Sequence, residues 1–171
     1  MTYTETQRFT QPWLWILVTG SSLIPAGIFG FGFYRQIIKG IPFGNHPMSD
    51  RGMIIAFAAM LLFSLLLILL FATVRLITRF VATGVSFRYI PFHWKFRTIP
   101  WTEIERWELV TYNPIGDYGG WGIRYGNAGR AYNVSGNKGL KLYLRNKKPL
   151  LIGTRHEEEL RGFLVDLKKQ D

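Results

Sequence analysis

Two stretches of this chain, Trp13 to Tyr34 and Met53 to Val74, run for 22 positions each without a charged residue. As helices rising about 1.5 Å per residue, each would be roughly 33 Å long, close to a hydrocarbon core of about 30 Å. The second run, Ile54-Ile55-Ala56-Phe57 through Leu65 to Phe71, is apolar all round. A helix with no polar face finds its natural surroundings in lipid, and the rest of the chain is too small to wrap it. The first run carries Gly20, Pro25, Gly27, Gly30 and Gly32. A membrane span tolerates such residues when neighbours satisfy the freed backbone groups. Trp13 and Trp15 at one end, with Phe33 and Tyr34 at the other, suit two interfacial aromatic belts. A signal peptide is the competing reading. Against it, only Arg8 precedes the run as a basic residue, and no small-x-small cleavage site follows.

These runs predict an N-terminal tail over 1–12 and a transmembrane hairpin over 13–82. Ser22, Ala26 and Gly30 recur every four residues on one face of the first helix. Small side chains at that spacing let helices approach closely. The face can be a dimerisation seam, but the second helix of the same hairpin is a partner already present. Gly40, Pro42, Gly44, Pro47 and Gly52 make the connection a loop, and Ser49 or Asp50 can cap the second helix. The loop carries Arg35, Lys39 and Arg51, against Arg8, Arg75, Arg79 and Arg88 outside the hairpin. Four against three places both termini in the cytoplasm by the positive-inside rule.

Residues 83–171 change character. Period-2 runs mark short strands at Val85–Ile90, Trp94–Ile99, Trp107–Tyr112, Trp121–Tyr125, Ala131–Val134, Leu140–Arg145 and Pro149–Gly153. Gly126 to Gly129 and Ser135 to Gly139 read as hairpin turns. Seven strands at this spacing predict an antiparallel barrel or sandwich. A helix closes the chain. Thr154 and Glu157 fit a capping box, and three glutamates sit at the positive end of its dipole, with Lys168 and Lys169 at the negative end. Leu160, Phe163, Leu164 and Leu167 form one apolar stripe. The whole is an α+β membrane protein: two transmembrane helices, then a β-domain with a C-terminal amphipathic helix.

The segments Ile99-Pro100-Trp101-Thr102-Glu103-Ile104, Gly119-Gly120-Trp121-Gly122-Ile123-Arg124 and Ala131-Tyr132-Asn133-Val134-Ser135-Gly136 resemble bacterial membrane proteins with a pleckstrin-homology (PH)-like domain. Gly139-Leu140-Lys141-Leu142 and Ile152-Gly153-Thr154 add to the likeness, which covers roughly residues 75–168. The resemblance implies a membrane-tethered assembly or binding module in a bacterial cytoplasmic membrane. It carries over no reaction and no catalytic residue.

The function classes narrow by chemistry. The chain has no cysteine, so it has no disulfide framework and no thiolate chemistry. Its 21 Lys and Arg against 11 Asp and Glu give a net charge of +10, which favours anionic partners. Lys95 and Arg97, with Arg88 before them, resemble the basic pattern with which some PH domains hold phosphates. On one strand face they could contact anionic lipid. The glycine-rich segments join strands and lack the helix a phosphate loop requires. Basic residues interleave with Trp94, Trp101, Trp107 and Trp121, yet no long basic helix reads a groove, so nucleic acid is not an expected partner. His46, His93 and His156 sit in unrelated places, and the chain implies no cofactor, metal or catalytic group. The expected function is a non-enzymatic scaffold that binds a protein partner or itself at the membrane, with no small-molecule substrate. Tyr118, Trp121, Lys141, Tyr143 and Arg145 are its candidate contacts. Anionic-lipid sensing through Arg88, Lys95 and Arg97 is the alternative, and a membrane enzyme is a third option.

Overall fold

The computed structural model describes residues 2–126 and 128–168. The chain divides into two compact units, one spanning Thr10–Thr73 and the other made from the chain on either side, up to Phe9 and from Val74 onward.

In the helical unit, α1 (Pro12–Phe33) runs on through a π-helical turn, Tyr34–Ile38, and α2 covers Asp50–Thr73. Pro12–Ile38 and Asp50–Thr73 are long and apolar enough to cross a membrane. Ile55, Leu62 and Leu66 of α2 point outward and are largely exposed, which suits lipid better than water. Ser22 and Ala26 are buried against α2. Ser64 Oγ donates to the Ser22 carbonyl at 2.9 Å, and a Cβ at Gly30 would lie 3.3 Å from the Phe57 ring. The small-residue face therefore receives α2 of the same chain. Ser49 Oγ accepts from Gly52 N and caps α2. Gln36 Nε2 donates to Met48 O and Asp50 Oδ1, tying the loop to both helices.

The other unit is not a single seven-stranded barrel. Among the described residues it has nine strands in two sheets. The first sheet has the order β1 (Thr2–Arg8), β2 (Arg75–Val81), β3 (Gly84–Ile90), β4 (Arg97–Pro100), all antiparallel. The second has the order β5 (Ile104–Thr111), β8 (Lys138–Leu144), β9 (Leu150–Thr154), β7 (Gly129–Asn133), β6 (Gly122–Gly126). Its β7–β9 pair is parallel, against the antiparallel expectation. A five-residue helix, α3 (Pro114–Tyr118), and α4 (Glu157–Lys168) complete the unit.

Residues 2–8 are thus a strand and not a tail, and 75–81 belong to the β unit and not to the hairpin. The inner face of the first sheet follows from register: Tyr3, Glu5 and Gln7, then Leu76, Thr78 and Phe80, then Val85, Phe87 and Tyr89. It meets the second sheet through Phe87 on Tyr132, with ring centroids 4.6 Å apart, and through Tyr89 Oη donating to Asn133 O. All five residues of β9 are buried, as befits the central strand of its sheet.

The capping box expected at α4 forms only in part: Thr154 Oγ1 accepts from His156 N at 3.2 Å, but Glu157 does not reach back. Thr154 Oγ1 donates to Glu5 at 2.6 Å, and Arg155 N donates to the same carboxylate at 2.7 Å. Glu157 instead pairs with Lys138 and Arg161, and the Lys138 hydrogen bond leads in holding its carboxyl below the usual range. Gln7 Nε2 donates to Gly153 O. Phe163 of α4 packs on Tyr3 and Phe80. Lys169 lies outside the described residues, as does Asn127 in the turn expected at 126–129.

Glu5→Ala leaves the Thr154 hydroxyl and the Arg155 amide without their buried acceptor. A loss of about 1–3 kcal/mol is expected, read as a lower denaturation midpoint of the full chain in micelles. Glu5→Gln, which keeps an acceptor oxygen, should lose less. Unchanged midpoints for both would contradict this role.

Candidate functional site

Strand register separates the basic residues that the sequence groups together. Arg97 of β4 lies opposite Phe87 and so shares its inward face. Arg88 is one residue along β3 and points the other way. Lys95 sits before β4, exposed in the 91–96 segment. The structure therefore does not bring Arg88, Lys95 and Arg97 together. The alternation expected through Trp94–Ile99 fails because β4 begins only at Arg97.

Arg97 opens instead into a cleft of about 420 Å³ between the two sheets. Its floor is apolar, from Phe87, Ile99, Leu144 and Leu150. Its polar lining includes Arg97, Arg130, Lys147, Lys148, Glu103 and Tyr132. Lys147 Nζ pairs with Glu103 at 2.8 Å. Among the described residues, Arg97, Arg130 and Lys148 have no carboxylate within ion-pair distance. Arg97 Nη1 donates to Tyr132 Oη at 3.2 Å. Burial, followed by hydrogen bonding with Tyr125, raises the Tyr132 phenol above its ordinary range, so it is neutral near pH 7. Four cations against one carboxylate give this partly apolar cleft a positive field, a setting that suits an anion chemically.

Behind Arg97 lies His93, buried between Phe87 and Tyr132. Its Nδ1 accepts from Tyr89 N at 3.2 Å, which requires the unprotonated nitrogen. Burial, then the Arg97 charge, lowers its pKa below the usual 6.5.

The expected protein contacts are mostly used internally. Tyr118 is buried, edge-on to Tyr112. It closes a small second core with Ala131 and Leu151. Trp121 Nε1 donates to Gly136 O. Tyr143 Oη donates to Glu108 at 2.7 Å and carries the Arg106 guanidinium 4.1 Å above its ring, with Lys141 Nζ at 5.3 Å. Arg145 pairs with Glu105. Among the described residues, no three His, Asp or Glu side chains are placed to share a metal ion.

Sequence reasoning missed Arg130, Lys147 and Lys148 as site residues. They lie on β7 and the β8–β9 turn, and only the packing of two sheets brings them to Arg97. Compared with known proteins, the sequence matches no family model, and no curated protein matches it significantly.

His93 makes stability depend on pH. Its folded pKa lies below the unfolded one, so its contribution is complete above about pH 6.5 and falls as pH drops below that. The denaturation midpoint of the full chain should decline in that acid window. The decline should be smaller in His93→Phe. An identical acid profile in the variant would contradict this assignment.

Proposed function

We propose that this chain is a non-enzymatic, membrane-anchored, PH-like module that binds a phosphate-bearing anion in the inter-sheet cleft. At a membrane that anion is an anionic lipid headgroup, held as a ligand and not as a substrate. One observation carries the reading: Arg97, Arg130 and Lys148 share a cleft with Tyr132 and have no carboxylate partner among the described residues. Cations gathered without counter-charge repel one another, and a bound anion relieves that cost. An arginine fork suits phosphate oxygens through charge-assisted hydrogen bonds. The apolar floor would accept the carbon skeleton of an ester.

The proposed setting is a bacterial cytoplasmic membrane, with the β unit and both termini on the cytoplasmic side. Strand β1 precedes the two membrane-length helices and β2 follows them, yet the two pair along their full length. An even number of crossings between them is consistent with that pairing. The PH likeness rests on the sequence segments named above and on the closing helix; the two sheets and the parallel β7–β9 pair depart from the pattern it implies.

Self-assembly is the second reading. It is favoured by the edge of β6, which among the described residues pairs only with β7 and carries Tyr125, 66% exposed. An open edge can add a strand from another copy.

The test is thermal unfolding of the full chain in micelles, titrated with inorganic phosphate and with glycerol phosphate. Saturable stabilisation is expected, beyond that from chloride at equal ionic strength. Arg97→Gln and Arg130→Gln should each weaken it about tenfold or more, and Lys95→Gln should leave it unchanged. A response no greater than that of chloride would sink the cleft reading. A dimer that dissociates on Tyr125→Lys, with no anion response, would favour self-assembly.

A further inference from the structure

The outer face of the first sheet is a second basic surface, separate from the cleft. Register puts Arg8, Arg75, Arg79 and Arg88 on the side opposite Glu5, Phe80 and Phe87. The other outward residues of β1 are Thr2, Thr4 and Thr6, and the one acid of the strand, Glu5, faces inward. No carboxylate in β1 to β4 therefore shares this face. Arg8 lies directly across from Arg75 in the β1–β2 pair. Like charges so placed destabilise a sheet. The Nε atoms of Arg75 and Arg88 are buried without a hydrogen-bond partner. Among the described residues, no carboxylate lies within ion-pair distance of these four arginines.

An apolar loop adjoins it. Arg79 and Arg88 stack on the Phe96 ring, at 4.4 and 5.3 Å from its centroid. The segment leading to Phe96 projects Trp94, 94% exposed, and Phe92, 57% exposed, with exposed Lys95 beside them. An indole left almost wholly in water next to clustered cations is costly unless something covers it.

We infer that the Phe92–Phe96 loop, with the outer arginine face, docks on an anionic bilayer surface. Two arguments select that occupant. The charge is complementary: a negative leaflet attracts basic residues at about 1 kcal/mol each near its surface. The side chains also match the interface, where tryptophan seats its ring at headgroup level and arginine reaches phosphates. Two helices of membrane length in the same chain make a bilayer a ready partner. The site is independent of the cleft and stands if that reading fails, because Trp94, Phe92 and Lys95 do not line it.

The experiment uses the full chain in lipid nanodiscs carrying brominated acyl chains. Discs of phosphatidylcholine alone are compared with discs containing phosphatidylglycerol. Subtracting Trp94→Phe from the unaltered protein isolates the Trp94 fluorescence. That component should be quenched and blue-shifted in the anionic discs, and less so in the zwitterionic ones. Lys95→Gln should lower the docked-to-free ratio about fivefold, and Lys95→Glu should lower it further. High salt should act the same way. Unquenched Trp94 emission in anionic discs would overturn the inference. So would a response to added single-stranded oligonucleotide but not to lipid, which would assign the face to nucleic acid. Phosphate titration of Trp94→Phe should match that of the unaltered protein, which separates this surface from the cleft.

Discussion

The buried carboxylate of Glu5 is the contact on which the β unit depends. It lies on a strand from the far side of the helical hairpin, yet it accepts hydrogen bonds from Thr154 and Arg155 at the start of α4. Residues nearly 150 positions apart are joined there, so forming the bond closes a long loop. The charge is acceptable inside because it meets two donors at short range, which is the condition for burying a carboxylate. Gln7 adds a third link, to the Gly153 carbonyl. The first strand thus does two tasks. Its backbone extends the first sheet, and its inward side chains hold that sheet to β9 and the closing helix.

The same alternation that turns Glu5 inward divides the cations of the first sheet into two populations. Arg97 faces in and meets Tyr132. Arg75, Arg79 and Arg88 face out, two of them against Phe96. Strand parity separates an arginine that opens into the cleft from those on the opposite face of the sheet. Both proposed binding surfaces rest on this partition: a group of cations gathered in a cleft suits a discrete anion, and cations spread over a sheet face suit an extended charged surface. On the second sheet the corresponding charges are quenched locally, as Tyr143, Glu108 and Arg106 satisfy one another. A net charge of +10 does not make every basic face a binding face.

Much of this was legible in the sequence, and the failures have physical causes. The apolar runs gave both long helices because length and uniform hydropathy need no tertiary context. Strands β3 and β5 to β9 announced themselves by apolar alternation or by turn residues. Strand β1 did not, because its inward residues include Glu5 and Gln7, and only the β-branched threonines at 2, 4 and 6 marked it. Strand β2 alternates Leu76, Thr78 and Phe80 inward, but it begins directly after α2. Its arginines therefore read as charges flanking a membrane span. Helix α3 was not found from the sequence, although its Asn113–Pro114 start carries a signal. The Asn side chain accepts from Ile115 N and Gly116 N, and proline suits the first helical position. The cleft was not legible, since Arg97 and Arg130 come from different sheets and no spacing rule joins them.

The central claim is that a strand preceding the helical hairpin is an integral part of the β unit. Amide hydrogen exchange on the full chain in nanodiscs tests it most directly. The account predicts that residues 2–8 exchange as slowly as their β2 partners and open together with them, because they share one ladder and one buried carboxylate. Exchange of residues 2–8 at the rate of an unstructured peptide, with β2 still protected, would contradict it.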